Sequence, residues 1–92
     1  MEILRQKGVL EVLFLLNEKS PLKITEIVEQ MRVLKGMSSS TVYRALKILN
    51  ENGLVSETEE ESNRGGPVRR VFSITDKGKK IVSLLKSVEE EL

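Results

Sequence analysis

The stretch "TVYRALKILNENGLVSE", residues 41–57, constrains the fold most, because it changes from helical to strand periodicity at a glycine. Its apolar residues fall at helical spacing and share one face of a helix: Val42, Ala45, Leu46 and Leu49. Asn52 and Gly53 are typical of a left-handed helix C-terminus, and residues 54–58 then predict a strand. The chain must therefore bury one face of a short helix and continue at once into a sheet.

The rest of the chain predicts a mostly helical α+β domain. Within "VLEVLFLL" seven of eight residues are apolar, so the first helix is expected to be buried on two sides, by its own domain and by something else. Thr25 is the expected N-cap of the second helix, and Thr75-Asp76 that of the last. The predicted order is helix, strand stub, helix, helix, two-stranded hairpin and helix, over about residues 3–17, 22–24, 25–36, 39–51, 54–58 with 68–74, and 75–92.

The net charge of +1 hides two basic blocks separated by an acidic one. Residues 19–50 hold six cations and two anions, a sum of +4, and residues 63–86 hold seven cations and one anion, a sum of +6. Residues 51–62 carry five glutamates and no cation. Local fields of this kind attract polyanions more than the net charge suggests.

Several function classes are excluded by what the chain lacks. It has no cysteine and no histidine, so it has no disulfide or thiolate metal site and lacks the commonest metal ligand and general base. Ser83 and Lys86 match a Ser-x-x-Lys pattern, but none of the companion catalytic motifs is present. The glutamates at 59–61 and 89–91 are expected to face solvent. We expect no enzyme, no metal and no cofactor, and, because no apolar run is long enough for a membrane span or signal peptide, a cytoplasmic protein.

Three stretches together resemble the PadR family of winged helix-turn-helix transcriptional regulators, with the MarR family as the second choice. "GVLEVLFLLNEKSPL" is similar to the opening helix of PadR proteins, and "SSSTVYRALKILNENGLVSE" to their recognition helix and its exit into the wing. "GGPVRRVFSITDKGKK" is similar to the returning wing strand, followed by "IT" at the cap of the last helix and a glycine shortly after it. One departure is "LKITEI", where PadR proteins usually carry a Gly-Tyr pair. The resemblance implies a winged helix domain over residues 1–74. The C-terminal helix, residues 75–92, is the expected dimerisation element because of its apolar row.

On this resemblance, residues 39–51 form the recognition helix, whose N-terminal part enters the major groove of double-stranded DNA. Its outward side chains are the predicted contacts: Ser39, Ser40, Thr41, Tyr43, Arg44 and Lys47. Arginine can bind guanine O6 and N7 in a two-pronged contact, and serine or threonine can bond a base edge or a phosphate. The alternative is that Arg44 and Lys47 bind nothing and only make the solvent-exposed face of the helix polar.

The predicted wing, residues 59–70, offers the second contact through Arg64, Arg69 and Arg70. Arg64 lies at a glycine-flanked tip, where a guanidinium can enter a narrow minor groove. Because side chains alternate along a strand, only one of Arg69 and Arg70 can face DNA, and the other is expected to pair with an acid. A hairpin symmetric about residue 64 would set Glu59 opposite Arg69.

The expected assembly is a homodimeric repressor on an inverted-repeat operator. A small domain is expected to cover only one side of the first helix, and the last helix presents an apolar row, so both surfaces are predicted to meet a second copy. The predicted interface residues are Leu10, Phe14, Ile81, Leu84, Leu85, Val88 and Leu92. Two alternatives stay open: a winged helix used as a protein-interaction module, and an RNA-binding winged helix without operator specificity.

Overall fold

The computed structural model describes residues 2–60 and 69–91, which form four α-helices and a three-stranded antiparallel sheet. In chain order the elements are a short 3-10 helix, Glu2–Arg5, then α1 Val9–Lys19, β1 Leu22–Lys23, α2 Ile24–Lys35, α3 Ser39–Glu51, β2 Val55–Glu60, β3 Arg69–Ile74 and α4 Asp76–Glu91. This is the predicted α+β winged helix order. No helix within the described ranges is long and apolar enough to cross a bilayer.

α1 is the central helix of the domain. Its buried residues are each at most 6% exposed: Val9, Val12, Leu13, Leu15 and Leu16. They pack against neighbours in α2, α3, α4 and β3. The expectation that the domain would cover only one side of this helix was therefore wrong, because α4 and the sheet return to it from the distant end of the sequence. Leu10 and Phe14, predicted at a dimer interface, are half-buried within the chain itself.

Two helices begin at other residues than the sequence predicted. Gly8 adopts a left-handed φ of 86° and separates the 3-10 helix from α1, so the continuous helix expected from residue 3 is divided there. α2 begins at Ile24 with Lys23 as its N-cap, and not after Thr25. The carboxylate of Glu26 accepts a hydrogen bond from the Lys23 backbone N–H at 3.0 Å. An acid in the first turn thus satisfies a donor that the helix leaves free.

β3 is the middle strand of the sheet, with β1 on one side and β2 on the other. The β2–β3 register sets Glu59 opposite Arg70 and Glu60 opposite Arg69. The hairpin is shifted by one residue from the symmetric arrangement, in which Glu59 would have lain opposite Arg69. Because side chains alternate, Arg70 shares a face with Phe72, which is 1% exposed and anchors the sheet to the helices.

The end of α3 and the start of α4 are held together by hydrogen bonds, and we call this contact the α3–α4 joint. The Thr75 hydroxyl donates to the Gly53 carbonyl at 2.6 Å and accepts from the Gly78 N–H at 3.1 Å. The Thr75 N–H donates to the Leu54 carbonyl at 3.1 Å. The predicted cap at Thr75 is confirmed, and the same side chain also fixes α4 against the turn that follows α3.

Candidate nucleic-acid interface

α3 has one face fixed in the core and the opposite face free. Its inner residues Val42, Ala45, Leu46 and Leu49 are each at most 1% exposed. Arg44 and Lys47 are exposed on the outer face, and Tyr43 is 48% exposed. The buried row holds the backbone rigidly, so the two cations and the phenol project from a well-positioned platform. This is the arrangement that a helix needs in order to read a groove.

The serines before α3 organise its N-terminus. Ser38 is the N-cap, and its hydroxyl accepts from the Thr41 N–H at 3.4 Å and lies 2.9 Å from the Thr41 hydroxyl. Ser39 and Ser40 are exposed beside it. Thr41 differs from the other predicted contacts, since it is half-buried and bonded to the cap. Its side chain therefore supports the N-terminus of the helix from the protein side.

Arg70 is the wing arginine that pairs with an acid. Its guanidinium Nε donates to Glu57 Oε1 at 2.6 Å, and its Cζ lies 5.5 Å from the centre of the Phe72 ring. The Arg70 side chain is 49% exposed and that of Glu57 is 26% exposed. This ion pair neutralises the Glu57 carboxylate, which lies opposite the buried Phe72 in the hairpin. The sequence predicted that one arginine of the pair would be used in this way without specifying which.

Arg69 lies on the opposite face of β3 from Arg70 and is exposed. The alternation of side chains along β3 therefore separates the two adjacent arginines. Arg70 pairs with an acid within the wing, and Arg69 is presented on the outer face of the hairpin. Arg64, predicted at the tip of the wing, lies outside the described residues.

In the middle of α2 the positive charge of Arg32 is paired with an acid, so this part of the helix adds little positive charge to the surface beside α3. Arg32 Nη2 lies 2.6 Å from Glu29 Oε1, and this hydrogen bond raises the pKa of Arg32 above its ordinary value. The pair is exposed on both sides. Within residues 2–60 and 69–91, no group of three acidic side chains lies close enough together to hold a metal ion.

The predicted interface residues of α4 differ in exposure. Val82 is 2% exposed and packs α4 against the core. The sequence analysis did not single out this residue. Ile81 and Leu85 are half-buried, whereas Leu84 is 67% and Val88 is 56% exposed. Leu92 lies outside the described residues. The helix thus carries an outer apolar strip that its own domain leaves uncovered.

The helix-turn-helix of α2 and α3, followed by a two-stranded wing, defines a winged helix DNA-binding protein. The model of the transcriptional regulator PadR-like family matches residues 12–83. The chain therefore belongs to the PadR-like family of transcriptional regulators, and it is a DNA-binding regulator and not an enzyme. No curated protein gives a significant sequence match.

Several solved structures share this fold. A PadR-like transcription factor from Bacteroides fragilis is 26% identical, with 98% of this chain and 88% of that chain covered and a TM-score of 0.70. A PadR family regulator from Clostridium difficile R20291 is 24% identical, with 87% and 85% covered and a TM-score of 0.72. PadR from Bacillus subtilis, solved with operator DNA, is 20% identical with a TM-score of 0.67, and the match covers 78% of this chain but 42% of that one.

Proposed function

We propose that the protein is a dimeric repressor that binds an inverted-repeat operator through α3. The observation that carries the proposal is the division of α3 into a fully buried row and an outer face with Tyr43, Arg44 and Lys47. Such a helix can enter the major groove without losing its hold on the domain. The PadR structure with operator DNA is a precedent within the family. Repression is the simplest mode of action for such a domain, because a winged helix bound at its operator blocks that stretch of DNA by occupying it.

In this proposal the outer face of α3 divides into base-reading and phosphate-binding groups. Arg44 takes the base-reading role, since a guanidinium presents two donors in a fixed fork to one guanine edge, whereas a lysine ammonium is a flexible point charge. Lys47, Ser39 and Ser40 contact phosphates or base edges around it. The wing contributes Arg69, and Arg64 at the tip is proposed for the minor groove. Arg70 acts indirectly, because its ion pair neutralises the Glu57 carboxylate within the wing.

Dimerisation is proposed through the outer strip of α4. Leu84 and Val88 are one helical turn apart and both more than half exposed, which is costly for a free monomer. A two-fold axis through this strip would bring two copies of the same surface together. Leu10, Phe14, Ile81 and Leu85, which are already half-buried, would complete the edge of the contact. Two recognition helices about 34 to 36 Å apart would then enter successive major grooves.

The test is selection of bound sequences from a random duplex library with the whole chain. The proposal expects an enriched motif with two-fold symmetry and half-site centres about 10 base pairs apart. Competition with duplex RNA and with single strands of the selected sequence tests the alternatives, and operator binding should resist both. An enriched motif without symmetry would refute the dimer, and no enrichment at all would refute sequence-specific binding. As a DNA-binding regulator, the protein is proposed to act in the cytoplasm.

A further inference from the structure

A second basic surface lies beside the turn between α2 and α3. It is a shallow depression of about 250 Å³, lined by Lys7, Gly8, Glu11, Lys35, Gly36 and Met37. Both lysines are exposed at its rim. They come from parts of the chain 28 residues apart, one before α1 and the other at the last position of α2.

Gly8 is the reason that Lys7 reaches this place. A Cβ atom built on Gly8 would lie 3.0 Å from the Thr41 methyl carbon and 3.1 Å from the Met37 sulfur. The backbone before α1 therefore lies directly against the N-terminal turn of α3. The left-handed φ of Gly8, 86°, turns the chain there and leaves Lys7 next to the helix-turn-helix.

The charges of the depression favour an anion. It holds two lysines and one carboxylate, that of Glu11, which is half-buried. The ion pairs found among the described residues are Arg32–Glu29 and Arg70–Glu57, so neither lysine is neutralised by another described side chain. The exposed hydroxyls of Ser39 and Ser40 lie on the first turn of α3, close to the same turn.

We propose that Lys7 and Lys35 form a phosphate-binding site for the DNA strand at the rim of the groove that α3 enters. This rests on the proposed function. When the N-terminus of α3 meets base edges, the protein surface next to that N-terminus faces the sugar-phosphate backbone beside those bases. A lysine there contributes a point charge that releases counterions but does not discriminate between base pairs. The two lysines thus set affinity and register, whereas α3 sets sequence preference.

The test compares Lys7→Gln and Lys35→Gln with a charge-matched control. The control is Lys86→Gln, which removes the same charge. Lys86 lines a cleft with Asn17. Asn17 lies about 13 Å from Gly8 along α1, so this cleft is at the other end of the helix. Each protein is titrated, over a range of salt concentrations, with a duplex selected from a random library and with a shuffled duplex of equal length. Thermal melts check that the folds are intact.

We expect each of the two variants to lower the slope of log affinity against log salt by about 0.9, and their combination by about twice that. At about 0.1 M salt this corresponds to roughly an eight-fold loss per lysine, equal on both duplexes. Lys7→Arg and Lys35→Arg should retain the wild-type slope, and Lys86→Gln should change it little. The inference is overturned if the two variants behave like Lys86→Gln, or if they change the ratio between the duplexes. A wild-type protein that binds both duplexes equally would instead refute operator specificity, while the slopes would still test the two lysines.

Discussion

Gly78→Ala is a substitution for which helix propensity and tertiary structure predict opposite signs. Gly78 lies in the first turn of α4, and alanine is favoured over glycine in a helix by about 1 kcal/mol. A Cβ atom at this position would lie 2.2 Å from the Leu54 carbonyl oxygen and 2.7 Å from Ile74 Cγ1. The carbonyl is backbone and cannot rotate away as a side chain would. We therefore expect the substitution to destabilise the protein.

The magnitude follows from what must move to make room. Forcing an extra carbon into a packed site costs about 1 to 3 kcal/mol. Separating α4 from Leu54 also weakens the α3–α4 joint, in which the Leu54 carbonyl accepts from Thr75 and the Thr75 hydroxyl donates to Gly53. Two such hydrogen bonds contribute about 1 kcal/mol each. After subtracting the gain in helix propensity, the expected loss is about 2 to 4 kcal/mol in the free energy of unfolding.

The assay is equilibrium unfolding in urea at one fixed protein concentration, so that any association affects each variant equally. Ser83→Ala is the matched control, because Ser83 is exposed on the same helix and should change stability by less than about 0.5 kcal/mol. If Gly78→Ala were as stable as the wild type or more stable, the close approach of α4 to Leu54 would be refuted.

Three further predictions concern the core, the dimer and the DNA contacts. Leu46 is 1% exposed, so Leu46→Ala should lower the free energy of unfolding by about 2 to 5 kcal/mol. A melting temperature that hardly changed would contradict its place in the core. Leu84→Glu should dissociate the dimer and weaken operator binding. Ser83→Glu adds the same charge to α4 on the side that lines the cleft with Asn17, and it should leave the dimer intact. Sedimentation at micromolar concentration measures the association, and a wild-type monomer of 10.4 kDa on and off DNA would exclude the dimer. Arg44→Ala should lose about 1 to 3 kcal/mol at a single base pair. An equal loss of affinity on all sequences for Arg44→Ala would contradict its base-reading role. Lys47→Ala should lower the affinity for every sequence and reduce the slope of log affinity against log salt by about one phosphate contact.

The sequence by itself determined most of the features that depend on neighbours along the chain, although it misplaced the starts of α1 and α2. The spacing of Val42 to Leu49 defined the buried face of α3, and its outer face followed from the same period. Thr75 and Gly53 marked a helix start and a helix end because capping is a local demand of backbone donors and acceptors. The order of elements could be predicted for the same reason, whereas the winged helix fold was implied by the resemblance of three stretches to the PadR family.

Only the tertiary structure decided which surfaces meet. The register of the hairpin, shifted by one residue, assigned Arg70 to Glu57 and left Arg69 on the outer face. Strand pairing is set by packing on the core, and a one-residue change of register exchanges the two faces. The role of Gly78 and the placement of Lys7 and Lys35 at one depression likewise depend on contacts between residues more than twenty positions apart. Periodicity along the chain carries no information about such distances, because they follow from how the elements pack around α1.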